Sequence, residues 1–269
     1  MKITFIGGGN MGSALVSGLL KSGVKCEDMT VIEPDAEKRS RIENEYGVRA
    51  SGEADVLNEI VLLGVKPQQL REVARRLAGK LESRLVISIA AGIRVGDLSE
   101  WLGGHKNIVR VMPNTPAQVS KGISALYAMP EVDPSGRRIA ENVLSAVGST
   151  IWLDEEEKMD AFTALCGSGP AYVFYFMEAM MEAASGMGFG PNDAKRMVIE
   201  TFEGAVILAR ESEDDAGTLR SKVTSRGGTT ERALHEMEKG DVRLNIVEAI
   251  LAARERSREL AIELGKAPC

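Results

Sequence analysis

The chain has 269 residues, of which 44% are apolar, enough to bury the core of one large domain or two ordinary ones. Its 33 Lys and Arg residues are outnumbered by 39 Asp and Glu residues, which gives a net charge of −6 without a dense basic tract. This balance excludes an electrostatic nucleic-acid binder and favours small-molecule chemistry.

Few residues in the sequence are suited to metal binding. Cys26, Cys166 and Cys269 are far apart and form no CxxC pair, and His105 and His235 are the two histidines that could join them. We therefore expect no metal site. The N-terminal residues run into a glycine turn instead of a secretory signal, and no stretch reaches the roughly 18 uninterrupted apolar residues of a membrane span. A cytoplasmic protein with no membrane partner is expected.

In the first half of the chain, short apolar runs alternate with helical patterns. The runs that read as strands are 2–7, 29–33, 59–65, 84–90, 107–112 and 148–156, the last leading into a charged helix. After the first run, apolar residues from Met11 to Leu20 follow helical spacing. Nearly continuous apolar strands separated by helices are typical of a parallel sheet covered on both faces. We predict a Rossmann-type, doubly wound α/β domain over residues 1–153.

The rest of the chain carries helical spacing without a further convincing strand. The clearest segments are 171–188, 194–211 and 244–265. They predict an all-helical second domain over residues 154–269. Aromatic and Met residues at 172–181 surround much of their helix, which indicates burial on several sides, either in a core or between subunits.

A GxGxxG pattern lies between the first strand and the first helix. Alone it is weak evidence, because the chain has 28 glycines, but at the start of a βαβ unit it predicts a dinucleotide site. Gly7 permits the tight turn, Gly9 lets the backbone approach the pyrophosphate, and Gly12 lets the helix pack on the strand. A purely structural glycine turn is the alternative. The expected contact residues are Ile6, Gly7, Gly9, Asn10, Met11 and Gly12.

An acidic residue, Glu33, ends the second strand 21 residues after Gly12. At this position a carboxylate accepts hydrogen bonds from the adenosine ribose hydroxyls and repels a 2′-phosphate. Lys38 and Arg39 lie one turn into the next helix and could swing to a 2′-phosphate. The expected cofactor is therefore NADPH or NADH. Glu33 as a solvated strand end is the alternative.

Three further loops follow predicted strands, at the sheet edge where a doubly wound fold binds its ligand. Each taken singly reads more readily as an ordinary turn, but they recur regularly. Their prolines would also stiffen loops that otherwise only connect elements. The cofactor-binding residues expected from them are Gly64, Val65, Lys66, Pro67, Ala90, Ala91, Gly92 and Asn114.

The order of several motifs resembles one enzyme family along essentially the whole chain. These motifs are "FIGGGNMGSAL", "GVKPQ", "ISIAAGI", "RVMPNTPAQVSKG", "GSGPAYVF" and "VTSRGGTTERAL". They are similar to those of the Δ1-pyrroline-5-carboxylate reductases. The resemblance implies the last step of proline synthesis, a hydride transfer from NAD(P)H to the C=N bond of L-1-pyrroline-5-carboxylate. It also implies a homodimer or higher homo-oligomer formed through the helical region.

The segment "VTSRGGTTERAL" carries the most specific resemblance. A Gly-rich loop before a helix start offers backbone N–H groups and hydroxyls suited to a carboxylate. An N-cap with two spare hydroxyls is the alternative. The resemblance implies that Thr230 contacts the ring nitrogen, and we take Thr230 as the catalytic residue that polarises the imine. The substrate-binding residues implied are Glu213, Ser225, Gly227, Gly228, Thr229 and Thr230.

Two departures from the family pattern and two rival functions remain open at the level of sequence. Arg226 stands where the family loop commonly has proline, and Glu33 replaces the small or amide side chains of many NADPH-using members. A β-hydroxyacid dehydrogenase would share the fold but needs a catalytic lysine after the domain junction, and residues 166–180 contain none. A non-catalytic dinucleotide sensor is the other rival.

Overall fold

The computed structural model describes residues 1–53 and 57–266 of the chain. Within them lies an eight-stranded sheet with the order β3-β2-β1-β4-β5-β6-β7-β8. Its strands are β1 (Ile3–Ile6), β2 (Met29–Ile32), β3 (Arg49–Ser51), β4 (Ile60–Leu63), β5 (Leu85–Ser88), β6 (Ile108–Met112), β7 (Gly122–Ala128) and β8 (Gly148–Trp152). Neighbouring strands are parallel except for β6 and β7. The predicted Rossmann-type sheet is confirmed, with one antiparallel pair added.

Helices connect these strands and cover both faces of the sheet. They are α1 (Asn10–Lys21), α2 (Ala36–Tyr46), α3 (Pro67–Leu77), α4 (Val95–Trp101) and α5 (Pro134–Ser145), with α6 (Lys158–Phe162) after β8. Every residue of β1, β4 and β5 is buried. Alternate residues serve two cores: Phe5 and Leu62 pack in one, and Ile6 and Leu63 in the other. This two-sided burial explains the continuous apolar runs in the sequence.

Two strands were not predicted, β3 and β7. The link from β6 to β7 is residues 113–121, which hold one short 3₁₀ turn at Thr115–Val119. A parallel connection needs a crossover of a dozen or more residues, so β7 returns antiparallel to β6. Helix α5 then provides the crossover that makes β8 parallel to β7.

The remainder of the described chain is helical, as predicted. A single turn of π-helix at Thr163–Gly167 leads into the helices. These are α7 (Gly169–Gly186), α8 (Pro191–Glu211), α9 (Ala216–Lys222), α10 (Thr229–Lys239) and α11 (Val242–Lys266). Much of the apolar surface of α7 and α8 is exposed in the single chain, including Phe174 and Val206. The intramolecular core therefore does not account for the apolar pattern of these helices.

The chain divides into two compact units by its internal contacts. The first unit comprises Met1–Ser168 and the chain from Ala253 onward, and the second comprises Gly169–Ala252. Helix α11 thus contributes to both units. The hydroxyl of Ser257 donates to Asp160 Oδ1 at 2.7 Å, and both residues are buried in the first unit. The predicted domains 1–153 and 154–269 follow a different division and stay a prediction.

Candidate active site

After β1 the chain adds β2 and β3 on one side of β1, and then returns to add β4 on its other side. The strand order therefore changes direction between β1 and β4. In doubly wound folds the ligand binds beyond the carboxyl ends of the strands at this point. The amide of Gly64 donates to the carbonyl of Ile6 at 2.8 Å, so the loops after β1 and β4 leave the sheet side by side. The structure therefore brings together two of the predicted cofactor-binding segments.

Gly7 occupies a backbone conformation that suits glycine. Its φ is +105°, and a Cβ at this position would lie 2.9 Å from the carbonyl carbon and oxygen of Gly64. Gly12 is equally constrained, since a Cβ there would approach the carbonyl oxygen of Gly7 to 2.6 Å. These contacts hold the turn tightly against β4 and against the start of α1, the packing that the GxGxxG pattern predicted.

Gly9 differs from the other two glycines of the pattern. It is the N-cap of α1, it makes no side-chain cap, and a Cβ there would meet no atom of the chain within 4 Å. Its lack of a side chain therefore leaves the first amides of α1, beginning with Asn10 and Met11, open to a ligand. Helix N-terminal amides without an intrahelical acceptor favour an anion such as a pyrophosphate.

Glu33 is 7% exposed and lies under the glycine turn. Its Oε2 accepts the amide of Gly8 at 2.9 Å, and its Oε1 accepts the amide of Asp35 at 3.2 Å. The alternative of a solvated strand end is therefore wrong. The carboxylate is held beside the turn that the sequence assigns to the dinucleotide.

The loops after β4 and β5 are adjacent as well. Lys66 is the N-cap of α3 and Pro67 is its first residue. A Cβ at Gly64 would lie 3.5 Å from Cδ1 of Ile89, the residue that follows β5. Beyond it Ala90 is buried, Ala91 is exposed, and Gly92 has a φ of +76°. Val65 and Ala91 thus lie at the same sheet edge as the glycine turn.

Asn114 is buried, and its side chain stabilises the loop after β6 through hydrogen bonds. Its Oδ1 accepts the amide of Ile123 at 3.0 Å, and its Nδ2 donates to the carbonyl of Cys166 at 3.1 Å. The side chain thus joins this loop to β7 and to the π-turn. Its predicted contact with a cofactor stays a prediction.

Behind the loop after β5 lies a set of contacts that the sequence did not indicate. Glu156 Oε1 accepts both the amide of Val95, at 2.8 Å, and Arg110 Nη1, at 2.8 Å. A Cβ at Gly92 would lie 3.0 Å from Leu264 of α11. These partners are far apart in sequence and match no local motif, so no sequence signal was available to pair them.

The second unit contains the predicted substrate loop, residues 225–230. Gly227 has a φ of +74°, Gly228 is the N-cap of α10, and Thr229 and Thr230 are its first residues. Helix α10 thus starts where the sequence placed it. Ser225 is exposed and Thr230 is half-buried, and no side chain caps the helix.

The prediction that the amides of this loop are open is wrong for Gly227 and Gly228. The amide of Gly227 donates to Glu231 Oε2 at 2.7 Å, and the amide of Gly228 donates to the carbonyl of Ser225 at 3.0 Å. The tight turn that positions the helix uses both groups. The amides of Thr229, Thr230 and Glu231 belong to the first turn of α10, where N–H groups lack an intrahelical acceptor.

Glu213 lies in the short connection between α8 and α9 and is exposed. Its neighbours are fixed by local bonds. Asp214 Oδ2 accepts the hydroxyl of Ser212 at 3.2 Å, and Asp215 accepts the amide of Thr218 at 2.8 Å as the N-cap of α9. The connection therefore holds Glu213 at a defined backbone position within the same unit as the loop 225–230.

The titratable groups with shifted pKa values offer little acid–base chemistry. Burial raises the pKa of the Cys166 thiol, which disfavours a nucleophilic thiolate. Burial also lowers the pKa of His105, whose Nε2 lies 3.0 Å from the carbonyl of Arg84. Cys26 and Cys166 are free, and Cys269 lies outside the described residues.

Across residues 1–53 and 57–266, no three His, Cys, Asp or Glu side chains are grouped as metal ligands. In the same ranges, no helix combines the length and apolar character needed to cross a membrane.

Comparison with known proteins adds evidence from the whole chain. A family model described as pyrroline-5-carboxylate reductase dimerisation matches residues 156–260, and one described as NADP oxidoreductase, coenzyme F420-dependent, matches residues 2–92. The pyrroline-5-carboxylate reductase of Pseudomonas aeruginosa is 41% identical over 269 residues and 98% of each chain. The chain belongs to the pyrroline-5-carboxylate reductase family.

Solved structures of this reductase family agree with the assignment. A pyrroline-5-carboxylate reductase from Coxiella burnetii has a TM-score of 0.90 at 38% identity, covering 96% of this chain and 98% of that one. The pyrroline carboxylate reductase of Plasmodium falciparum, solved with NADP bound, has a TM-score of 0.88 at 29% identity, covering 97% and 98%. Similarity to reductases over nearly the full length favours this family over the β-hydroxyacid dehydrogenases.

Proposed function

We propose that this protein reduces L-1-pyrroline-5-carboxylate to L-proline with a hydride from NADPH or NADH. The observation that carries the proposal is the glycine turn at the change in strand direction, found in a chain that is 41% identical to a pyrroline-5-carboxylate reductase over nearly its whole length. Its oxidoreductase activity is that of its family. Its role is then the last step of proline biosynthesis.

A reduced nicotinamide dinucleotide, when bound, supplies the hydride. The turn Gly7–Gly12 and the first amides of α1 would hold the pyrophosphate, and Glu33 would bond the adenosine ribose. Support comes from Gly9, whose lack of a side chain leaves the first amides of α1 open, and from the buried carboxylate of Glu33 beside the turn. The loops 64–67 and 90–92 would then orient the nicotinamide half.

The substrate carries one carboxylate and one ring nitrogen, and the loop 225–230 offers a partner for each. We assign the carboxylate to the first-turn amides of α10, including Thr229, together with Ser225. The hydroxyl of Thr230 would bond the nitrogen. Hydride addition moves electron density onto that nitrogen, so a hydrogen bond there strengthens as the reaction proceeds. Glu213 would line the same site.

We further propose a homodimer formed through the helical unit. Support comes from the exposed apolar side chains of α7 and α8 and from the match of residues 156–260 to a dimerisation model. The proposed setting is the cytoplasm, where thiols such as Cys166 stay reduced. The net charge of −6 gives no reason to add a nucleic-acid partner.

The test follows NADH and NADPH oxidation with and without pyrroline-5-carboxylate. We expect oxidation that depends on the imine and yields proline. Thr230→Val should lower kcat/KM by about 10- to 100-fold, because a hydrogen bond to a charged group contributes roughly 1.5–3 kcal/mol. Thr218→Val, near the start of α9, is the matched control.

Either of two results would contradict the proposal. If neither dinucleotide is oxidised with this substrate, although both bind, the protein is a sensor or acts on another substrate. If Thr230→Val keeps the parent kcat/KM while Thr218→Val does also, the hydroxyl of Thr230 has no part in activating the imine.

A further inference from the structure

The end of β2 presents a negative charge that is already fixed in place. Glu33 Oε2 accepts the Gly8 amide and Oε1 accepts the Asp35 amide, at 2.9 Å and 3.2 Å. Each carboxylate oxygen can accept a second hydrogen bond. The ribose of a bound dinucleotide offers two hydroxyl donors, 2′ and 3′, so the carboxylate matches a ribose whose 2′ position is unsubstituted.

A 2′-phosphate would meet the same carboxylate without a hydrogen to donate. The position of Glu33 is not adjustable at low cost, because moving it removes an acceptor from the Gly8 amide of the turn. Burial at 7% exposure also reduces the screening of its charge by water. The first turn of α2 adds a second carboxylate, since hydrogen bonds from the backbone, chiefly that of Lys38, lower the pKa of Asp35.

Two cations close to this position have to be weighed against the carboxylates. Arg39 Nη1 donates to the carbonyls of Glu33 and Pro34, at 2.8 Å and 2.7 Å. The guanidinium is thereby tied to the main chain at the end of β2, and a Cβ at Gly52 would lie 3.4 Å from it. Lys38 is exposed on the first turn of α2. The rigid partner nearest the glycine turn is therefore the carboxylate.

We infer that Glu33 is a specificity-determining residue that makes this reductase prefer NADH to NADPH. The inference deepens the proposed function, on which it rests for the reaction but not for the binding preference. A dinucleotide with a free 2′-hydroxyl gains a bond to a fixed acceptor, and one with a 2′-phosphate meets like charge. The preference is a property of binding and precedes the chemistry.

The experiment measures the dissociation constants of NAD⁺ and NADP⁺ by calorimetry on the full chain without pyrroline-5-carboxylate. We expect NAD⁺ to bind at least about 10-fold more tightly than NADP⁺, a ratio equivalent to roughly 1.4 kcal/mol. Glu33→Gln should lower that ratio by at least about 10-fold. Glu37→Gln, which removes an exposed charge from the first turn of α2, is the matched control and should leave the ratio within about twofold.

Several outcomes overturn the inference. The first is tighter binding of NADP⁺ than of NAD⁺ by the parent. The second is an equal change of the NAD⁺ to NADP⁺ ratio in Glu33→Gln and Glu37→Gln. The third is weaker binding of NADP⁺ alone in Arg39→Met, which would make Arg39 a phosphate ligand. If Glu33→Gln fails to fold, Glu33→Ser replaces it, and an unchanged ratio of the NAD⁺ and NADP⁺ dissociation constants in that variant overturns the inference. A preference for NAD⁺ without imine-dependent oxidation would instead support the inference and contradict the proposed function.

Discussion

Gly7 and Gly9 belong to one motif, but the reason for a glycine differs between the two positions. Gly7 is required by the fold, because its φ of +105° and the contact of 2.9 Å with the Gly64 backbone leave no room for a side chain. Gly9 has a φ of −71°, which any residue adopts, and open space where a Cβ would stand. The glycine at this position is therefore explained by a ligand and not by packing.

This difference predicts opposite behaviour of two alanine variants. Gly7→Ala should lower the free energy of unfolding by at least about 2 kcal/mol, from positive-φ strain and backbone overlap. Gly9→Ala should leave it within about 1 kcal/mol of the parent, yet weaken NAD⁺ binding at least about 10-fold, because the methyl group keeps the pyrophosphate from the amides. Denaturant unfolding and calorimetry measure the two effects. Equal destabilisation by both variants would contradict the assignment.

Sequence reasoning reached these glycines and Glu33 because spacing along a βαβ unit determines their positions. It could not find that Arg39 is bonded to main-chain carbonyls, since a side chain's choice of partner depends on the folded backbone. For the same reason it overestimated the open amides of the substrate loop. The hydrogen bond from Gly227 to Glu231 exists only once α10 has formed.

The strands and helices of the first unit are joined by a largely buried ion pair that Arg110, in the middle of β6, forms with Glu156. Arg110 and Glu156 have side chains 5% and 13% exposed, with Nη1 and Oε1 2.8 Å apart. Glu156 also accepts the amide of Val95 at the start of α4, three residues after Gly92 of the loop 90–92. One carboxylate therefore ties β6, α4 and the segment before α6 together.

Removal of one partner should be costly. We expect Arg110→Met to lower the free energy of unfolding by about 3–5 kcal/mol, because it leaves the Glu156 carboxylate buried without its cation. The double variant Arg110→Met/Glu156→Gln should recover part of that loss, with a coupling of about 0.5–3 kcal/mol. Chemical denaturation of the parent, both single variants and the double variant measures this cycle. Strict additivity would mean that the pair has no energetic role.

The sequence predicted most of the strands and helices but not the side-chain contacts that connect them. Apolar runs identified β1, β4, β5 and β6, since their two-sided burial gives a strong pattern. Strand β7 was missed because "GISALYA" mixes small and polar residues without clear alternation. Glu156 could not be singled out among the acidic residues of "LDEEEK", because only the folded sheet brings one of them to Arg110.

The two units of the chain differ in how they bury apolar surface. In the first unit, the strands pack two cores within one chain. In the second, Phe174 and Tyr175 of α7 are 61% and 75% exposed, and Val206 and Leu208 of α8 are exposed too. Exposed apolar patches of this kind mark an association surface. The sequence predicted multi-sided burial but left open whether a core or a partner supplies it.

A second copy of the chain is the partner that the family match favours, and a charge placed on this surface should prevent its binding. We expect the parent to sediment as a dimer and Phe174→Glu to sediment mainly as a monomer. A glutamate buried at an interface without a cation costs several kcal/mol, enough to shift a micromolar equilibrium. Circular dichroism should show retained helix. Lys80→Glu, on an exposed position of the first unit, is the matched control and should stay dimeric. A parent that is monomeric and fully active would contradict the proposed dimer, because the single chain would then be the active form.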